Sequence, residues 1–271
     1  MTGPATCIVR NTAARKGRTR SVAPGATAAH FLHYGRIILD FGETLAAFAT
    51  GDLETAIIAL RGAAAARVDG TPFELERYDS LYAPRDSVIE VIASAEGCDL
   101  AEIAAPVQAR HPVQHVPFAA VRNDPKLHFE TGGANAKREV NVLVGANVEA
   151  GRIMAGVTFS QPGNWTSWPP HEHGAMLEEA YLYIDMPAPA FGLQLVYTNA
   201  CEPEVATVVR EGDIVLMPKG YHPNVAAPGY SINFVWMMAA HREDVDRQYG
   251  VVNVQPEFAA LGSGLDAGRR K

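Results

Sequence analysis

Cysteine is scarce in this chain. Cys7, Cys98 and Cys201 are odd in number, lie far apart and form no CxxC pair. That excludes a disulfide framework and a cysteine-based zinc knuckle, and it makes a reducing cytoplasm the simplest compartment. No apolar run approaches the ~20 residues that a membrane helix needs, so no membrane partner is expected. Basic charge is also short: 23 Lys and Arg against 30 Asp and Glu leave a formal net charge of −7. A general nucleic-acid binder needs a basic surface to neutralise phosphates, so nucleic acid is not an expected partner either. The sequon Asn164-Trp165-Thr166 follows no apolar secretory segment and reads as chance. Acid is missing from one stretch, residues 1–29, which carries Arg10, Arg15, Lys16, Arg18 and Arg20. Its composition resembles a transit peptide but lacks a clear amphipathic apolar face, so it reads as a flexible basic tail.

What the chain does have is material for strands. Hydrophobic residues make up 48% of it, and 18 prolines and 24 glycines suit a fold rich in turns. Runs such as RIILDF (36–41), ETAIIAL (54–60), PFELERY (72–78) and SVIEVIAS (87–94) are short, branched or aromatic, and separated by turn signals such as Asp69-Gly70. The alanine-rich piece 61–70 could pass for a helix on propensity, but its glycine borders and short length favour strand and turn. Residues 106–136 hold Pro106, Pro112, Pro117, Pro125 and a Gly132-Gly133 pair, and read as a connector. Strand-like runs resume at EVNVLVG (139–145) and continue to YSINFVWMMA (230–239). The expectation is an all-β chain in two halves, 30–105 and 137–255, with a further tail over 256–271. The halves have the look of a repeat. Asp213 to Pro218 and Asp79 to Pro84 share one spacing, but His222 stands four residues beyond the first proline and Val88 four beyond the second. Only the second half can then build a histidine site.

The chain has nine histidines, and two of them sit in WTSWPPHEHGAMLEEAYLY (165–183) one residue apart. Residues i and i+2 of a strand share a face, so His171 and His173 project together if this segment is extended, as Pro169-Pro170 favours. His222 follows a strand, between Gly220 and Pro223. Three imidazoles and one carboxylate suit a divalent transition metal: zinc first, with manganese, iron or nickel possible. Glu178 and Glu179 face opposite sides of a strand, so one of them at most is a ligand. Glu179 shares its face with Tyr181 and Tyr183, which suits a polar interior, and is the choice. The remaining histidines, among them His111 and His115, read as ordinary surface or packing residues.

These residues, with GNWTSWPPHEH, LEEAYLY, FGLQLVYT, GDIVLMPKGYHPNVAAPGY and FVWMMA, resemble the 5-deoxy-glucuronate isomerase family of myo-inositol catabolism, within the cupin superfamily. The related 4-deoxy-5-keto-uronate isomerases share the metal motif. The resemblance is specific over about 163–240 and thinner before it. It implies two cupin-type β-barrels, the first degenerate and without metal ligands, and a metal held by His171, His173, Glu179 and His222. The chain departs from the inositol enzymes in a shorter stretch before LEE, Gly174 to Leu177, and in Ile184 where they carry a basic residue.

The implied activity is that of a metal-dependent aldose–ketose isomerase on a deoxy-uronic acid, such as 5-deoxy-glucuronate to 5-keto-2-deoxygluconate. The metal would polarise carbonyl and hydroxyl oxygens while a general base moves a proton between adjacent carbons. Tyr183, Glu178 or a metal-bound hydroxide are candidates for that base. Gln194 is a candidate sugar hydrogen-bond partner. Lys219 is either a partner for the substrate carboxylate or an exposed turn lysine. Trp165 and Trp168 could wall the pocket or belong to the core. An iron cupin that activates oxygen and a cupin that binds a sugar acid without turnover stand as alternatives, and a homo-oligomer is possible because barrel strands often pair between subunits.

Overall fold

Branched and aromatic runs closed by tight turns fold into antiparallel strands, which form two cupin-type barrels in tandem. The computed structural model describes residues 6–265. The first barrel has the strand order Gly17–Val22, His33–Leu39, Val88–Pro106, Leu53–Val68, Ser80–Ala83, Gln114–Val116, with Thr44–Ala49 and Thr71–Leu75 paired beside this path. Two strands are long because they turn a corner. Register slips at Ala59/Arg61 and Gly62/Ala64 let Leu53–Val68 serve both walls. Gly62 permits the bend: its φ is +64°, and a Cβ there would meet the Gly97 carbonyl oxygen at 2.1 Å. The alanine-rich segment 61–70 falls in this strand and its turn, as its glycine borders indicated.

The second barrel has one sheet in the order Ile8–Val9, Ile214–Met217, Leu177–Ile184, Asn233–Ala240, Ile153–Ser160, Arg138–Val144, His128–Thr131. Its other sheet runs Trp165–Thr166, Asn224–Ala226, Gly192–Val196, Val205–Val209. Pro187, Pro189 and Pro228 break the strands that run through in the first barrel.

The halves match in detail. Leu53-Glu54-Thr55-Ala56 and Leu177-Glu178-Glu179-Ala180 hold equivalent places: Thr55 pairs with Ala83 and Glu179 with Met217, and these partners each lie four residues after Asp79 and Asp213. Glu54 accepts backbone N–H groups of Gly151, Arg152 and Ile153 at 2.8, 2.6 and 2.8 Å. Glu178 accepts those of His30, Phe31 and Leu32 at 2.6, 2.7 and 2.5 Å. Each carboxylate therefore leaves its own barrel and holds the entry of a strand of the other. Both are buried, at 0% and 2% exposure. Around them Ala56, Ile58, Ile103, Leu182, Val235 and Met237 form a core shared by the two halves.

Three sequence expectations are corrected here. Residues 1–29 are not a flexible tail; 1–5 lie outside the described residues, but Ile8–Val9 pairs with the second barrel at Val215 and Ile214, and Gly17–Val22 is a strand of the first. Three of the basic residues have acidic partners far along the chain. Arg18 and Arg20 both reach buried Glu102, at 2.6 and 2.9 Å, and Arg10 reaches Asp213 at 2.7 Å. The connector 106–136 carries structure of its own: Gln114–Val116 pairs with Ser80–Ala83, Phe118–Asn123 is a helix, and His128–Thr131 joins the second barrel. The tail over 256–271 begins with a 3₁₀ turn, Pro256–Leu261, whose Phe258 packs on Trp168 at 5.1 Å between ring centroids; 266–271 lie outside the described residues.

The interior of the first barrel is filled by Ile37, Ile57, Leu81, Ile89 and Leu100. Thr55 stands where the second barrel has Glu179, and no second cluster of possible metal ligands occurs among the described residues. Replacing Glu54 or Glu178 by alanine would strand three buried or part-buried N–H groups in each case. At roughly 1–3 kcal/mol per unsatisfied group, denaturant unfolding should register a loss of at least ~3 kcal/mol for either variant. A loss below about 1 kcal/mol would mean that the cross-barrel carboxylates are incidental.

Candidate metal centre

The second barrel brings together His171, His173 and His222, whose ligand atoms all lie within 4.8 Å of one another. His171 sits in the short strand His171–Glu172, which pairs with Asn253–Val254 after the Pro169-Pro170 step. His222 ends the turn after Ile214–Met217. Gly220 makes that turn possible, with φ +94° and the Tyr197 carbonyl oxygen 2.9 Å from where a Cβ would sit. Glu179 comes from Leu177–Ile184, on the inward face with Tyr181 and Tyr183. Its Oε2 lies 3.0 Å from His173 Nε2 and 2.9 Å from His222 Nε2.

Two imidazoles are oriented by backbone. His171 Nδ1 donates to the Pro169 carbonyl at 3.0 Å and His222 Nδ1 to the Gly220 carbonyl at 2.9 Å. Their Nε2 lone pairs are thereby left for a ligand role. His173 Nδ1 is buried without a hydrogen-bond partner, and His222 Nε2, although close to Glu179, is off the hydrogen-bonding direction. Buried polar atoms are rarely left so. A divalent cation fits this donor set, since donors about 3 Å apart are spaced as neighbours around an ion bound at roughly 2.0–2.2 Å.

The electrostatics agree. Burial, then the neighbouring His222 and His173, hold the His171 pKa well below its ordinary value, so this imidazole is neutral. Burial acts to raise the Glu179 carboxyl, but His173 and His222 overcome it and keep the group below the usual carboxylate range. Burial likewise acts to lower His222, and contact with Glu179 reverses the sign. An anionic carboxylate among imidazoles is a cation site by charge as well as by spacing.

His171, His173 and Glu179 form one wall of a small cavity of about 40 Å³. Phe234, Trp236 and Met238 give the cavity an apolar side. Gly156 makes room for that side, because a Cβ there would meet the Trp236 ring at 2.2 Å. The polar side has Tyr181, whose hydroxyl pairs with Ser167 Oγ at 2.7 Å, together with Tyr249 and Arg138. Burial, then the charge of Glu179, raise the Tyr181 phenol well above its ordinary pKa, so it remains protonated. Burial pushes the Arg138 guanidinium down to about 10, which leaves it charged at neutral pH.

The other residues singled out from sequence lie elsewhere. Glu178 is turned away from the cavity and committed to the backbone of 30–32, which corrects its assignment as a base. Tyr183 is fully buried and donates to Gln194 Oε1 at 2.5 Å rather than lining the cavity. Gln194 in turn donates to the His222 carbonyl at 2.9 Å and accepts from Asn224 at 3.0 Å; it is a strut beneath the histidine turn, with nothing left for a sugar. Lys219 is exposed outside the cavity. Trp165 and Trp168 pack on each other and wall a neighbouring hollow with Leu261 and Gly264. Among the cavity residues that sequence reasoning did not single out are Arg138, Ser167, Tyr181 and Tyr249. Only Tyr181 carried a signal, its shared strand face with Glu179.

Two all-β barrels, with three imidazoles and a carboxylate inside the second only, define a bicupin with a single candidate metal centre among the described residues. Within that class the chain belongs to the KduI/IolB family, whose model matches residues 7–258. By that membership it is an isomerase. It is 29% identical over 246 residues to the 5-deoxy-glucuronate isomerase of Geobacillus kaustophilus, covering 83% of this chain and 85% of the relative. It is 28% identical over 257 residues to that of Geobacillus thermodenitrificans, covering 86% and 91%. An IolB-like protein from Salmonella typhimurium shares the fold with a TM-score of 0.83 at 22% identity, over 95% of this chain and 99% of that one. Oxalate decarboxylase from Bacillus subtilis, an enzyme with Mn(II) centres, shares it with a TM-score of 0.64 at 10% identity, over 94% and 80%.

Metal analysis separates the two adjacent glutamates. The native protein should bind roughly one ion per chain; His171→Ala and Glu179→Ala should lose most of it, while Glu178→Gln retains it. Equal metal loss in Glu178→Gln would return that residue to the site.

Proposed function

We propose that this isomerase is metal-dependent and interconverts an aldose and a ketose form of a deoxy-uronic acid, with 5-deoxy-glucuronate to 5-keto-2-deoxygluconate in inositol catabolism as the preferred reaction. His171, His173, Glu179 and His222 would hold the ion, zinc being the first choice and manganese, iron or nickel the others. The observation that carries the reading is the buried histidine–carboxylate cluster in the wall of a cavity, in a chain whose relatives are named for this isomerisation. The small-molecule substrate would be a sugar acid, as it is in the names of the relatives. Among the described residues no helix is long and apolar enough to cross a membrane. A cytoplasmic setting is proposed from the cysteine usage.

The bound ion would supply Lewis acidity toward a carbonyl and its neighbouring hydroxyl. The chain supplies the rest. Phe234, Trp236 and Met238 limit water at the reacting carbons. The reaction moves one proton between adjacent carbons and one between their oxygens, with no external oxidant or reductant. Tyr181 Oη, protonated and backed by Ser167 Oγ, is placed to give and retrieve the oxygen proton.

Purified protein incubated with 5-deoxy-glucuronate should form the ketose, lose activity with a chelator and recover it with zinc or manganese. Turnover that survives complete metal removal would sink the reading, and oxygen consumption in place of isomerisation would replace it with oxygenase chemistry. Tyr181→Phe should keep the metal and lower kcat by about 100-fold, the scale of a lost general acid.

A further inference from the structure

Two arginines are buried among the described residues, and one of them has a counter-ion. Arg36, 2% exposed, meets the Asp99 carboxylate through two nitrogens at 2.7 and 2.6 Å. Arg138, 3% exposed, has no ion pair among the described residues. It donates only to carbonyl oxygens: Nη1 to Ala136 at 3.1 Å, and Nη2 to Trp168 at 3.0 Å and Gly264 at 3.1 Å. These bonds fix the side chain from three segments without neutralising it. Nε–H and the second Nη1–H have no hydrogen-bond partner among the described residues. Removing a guanidinium from water without an opposing charge is costly, so it persists where a bound anion completes it.

We infer that Arg138 is the binding site for the carboxylate of the substrate, which places the sugar acid with its acid end at Arg138 and its carbonyl end at the histidine cluster. The inference rests on the deoxy-uronate reading above and assigns the residue that selects the acid. Arg138, His171 and His173 line one cavity, and Glu179 is the only carboxylate among the described cavity residues. Glu179 is held by His173 and His222, so it does not serve Arg138. A monoanion entering this space gains the one cation that has no counter-ion among the described cavity residues. A neutral sugar of the same shape would leave Arg138 uncompensated, which is how a site rejects the analogue without the charged group. The exposed Lys219, the earlier candidate for this role, has no access to the cavity.

The test is calorimetric binding to the zinc-loaded protein with D-glucuronate and with D-glucuronamide, its uncharged counterpart. The native protein should bind the acid roughly 10- to 100-fold more tightly than the amide, the scale of a charge-assisted hydrogen bond. Arg138→Gln should bind the two alike while retaining its metal. A preference that survives Arg138→Gln overturns the assignment and leaves the deoxy-uronate reading intact. No preference in the native protein overturns the uronate reading itself, and the assignment with it. An Arg138-dependent preference in a protein inactive on deoxy-uronates would support the assignment and overturn the isomerase reaction. Should Arg138→Gln fail to fold, the arginine Nε–Hε resonances of the native protein decide. The one missing from Arg138→Lys shifts with glucuronate and stays still with glucuronamide, or the assignment is wrong.

Discussion

Two buried carboxylates exchanged between barrels organise this molecule. Glu54 crosses to the strand entry at 151–153 and Glu178 crosses to that at 30–32, each satisfying three amide groups. An ionised side chain in a core is tolerated only when such donors surround it, so the pairing admits one relative placement of the halves. It also sets the site. Because strand side chains alternate, fixing Glu178 outward fixes Glu179 inward, toward the histidines. A brace and a candidate metal ligand are thus neighbours in sequence and opposite in direction.

The two halves differ in their interiors. The first has the bracing glutamate but not the ligand set, with Thr55 in place of Glu179 and an interior of isoleucine and leucine. The second is apolar over most of its interior and is interrupted by the histidine–carboxylate cluster and its cavity. The core between them belongs to both.

The part of this arrangement that was legible in the sequence is the part that is local. His171 and His173 at i and i+2, a glutamate heading an aromatic strand, and His222 after an Asp-to-Pro run are patterns that each span only a few residues. The all-β character and the doubled plan were legible for the same reason, from runs and turns. What escaped depends on partners far away. The arginines of 1–29 read as a loose basic tail because Glu102 and Asp213 lie 82 to 203 residues on. Glu178 read as a base because nothing near it reveals the amides of 30–32. Arg138 gave no signal at all: an arginine opening a strand is ordinary until the fold leaves it buried with no ion pair among the described residues.

The edge strands are exchanged as the carboxylates are. Ile8–Val9, which precedes the first barrel, closes the edge of the second at Ile214–Met217, and Gln114–Val116, which precedes the second, closes the edge of the first at Ser80–Ala83. Asn11 N–H on Asp213 and Phe118 N–H on Asp79 repeat the symmetry, at 3.0 and 2.7 Å. On the ribosome this has an unequal result. The first barrel can seal its edge soon after its own strands emerge. Ile8–Val9 must wait until some 200 further residues have been made before its partner exists. Through that interval an early β-segment has its hydrogen-bonding groups open to whatever strand it meets.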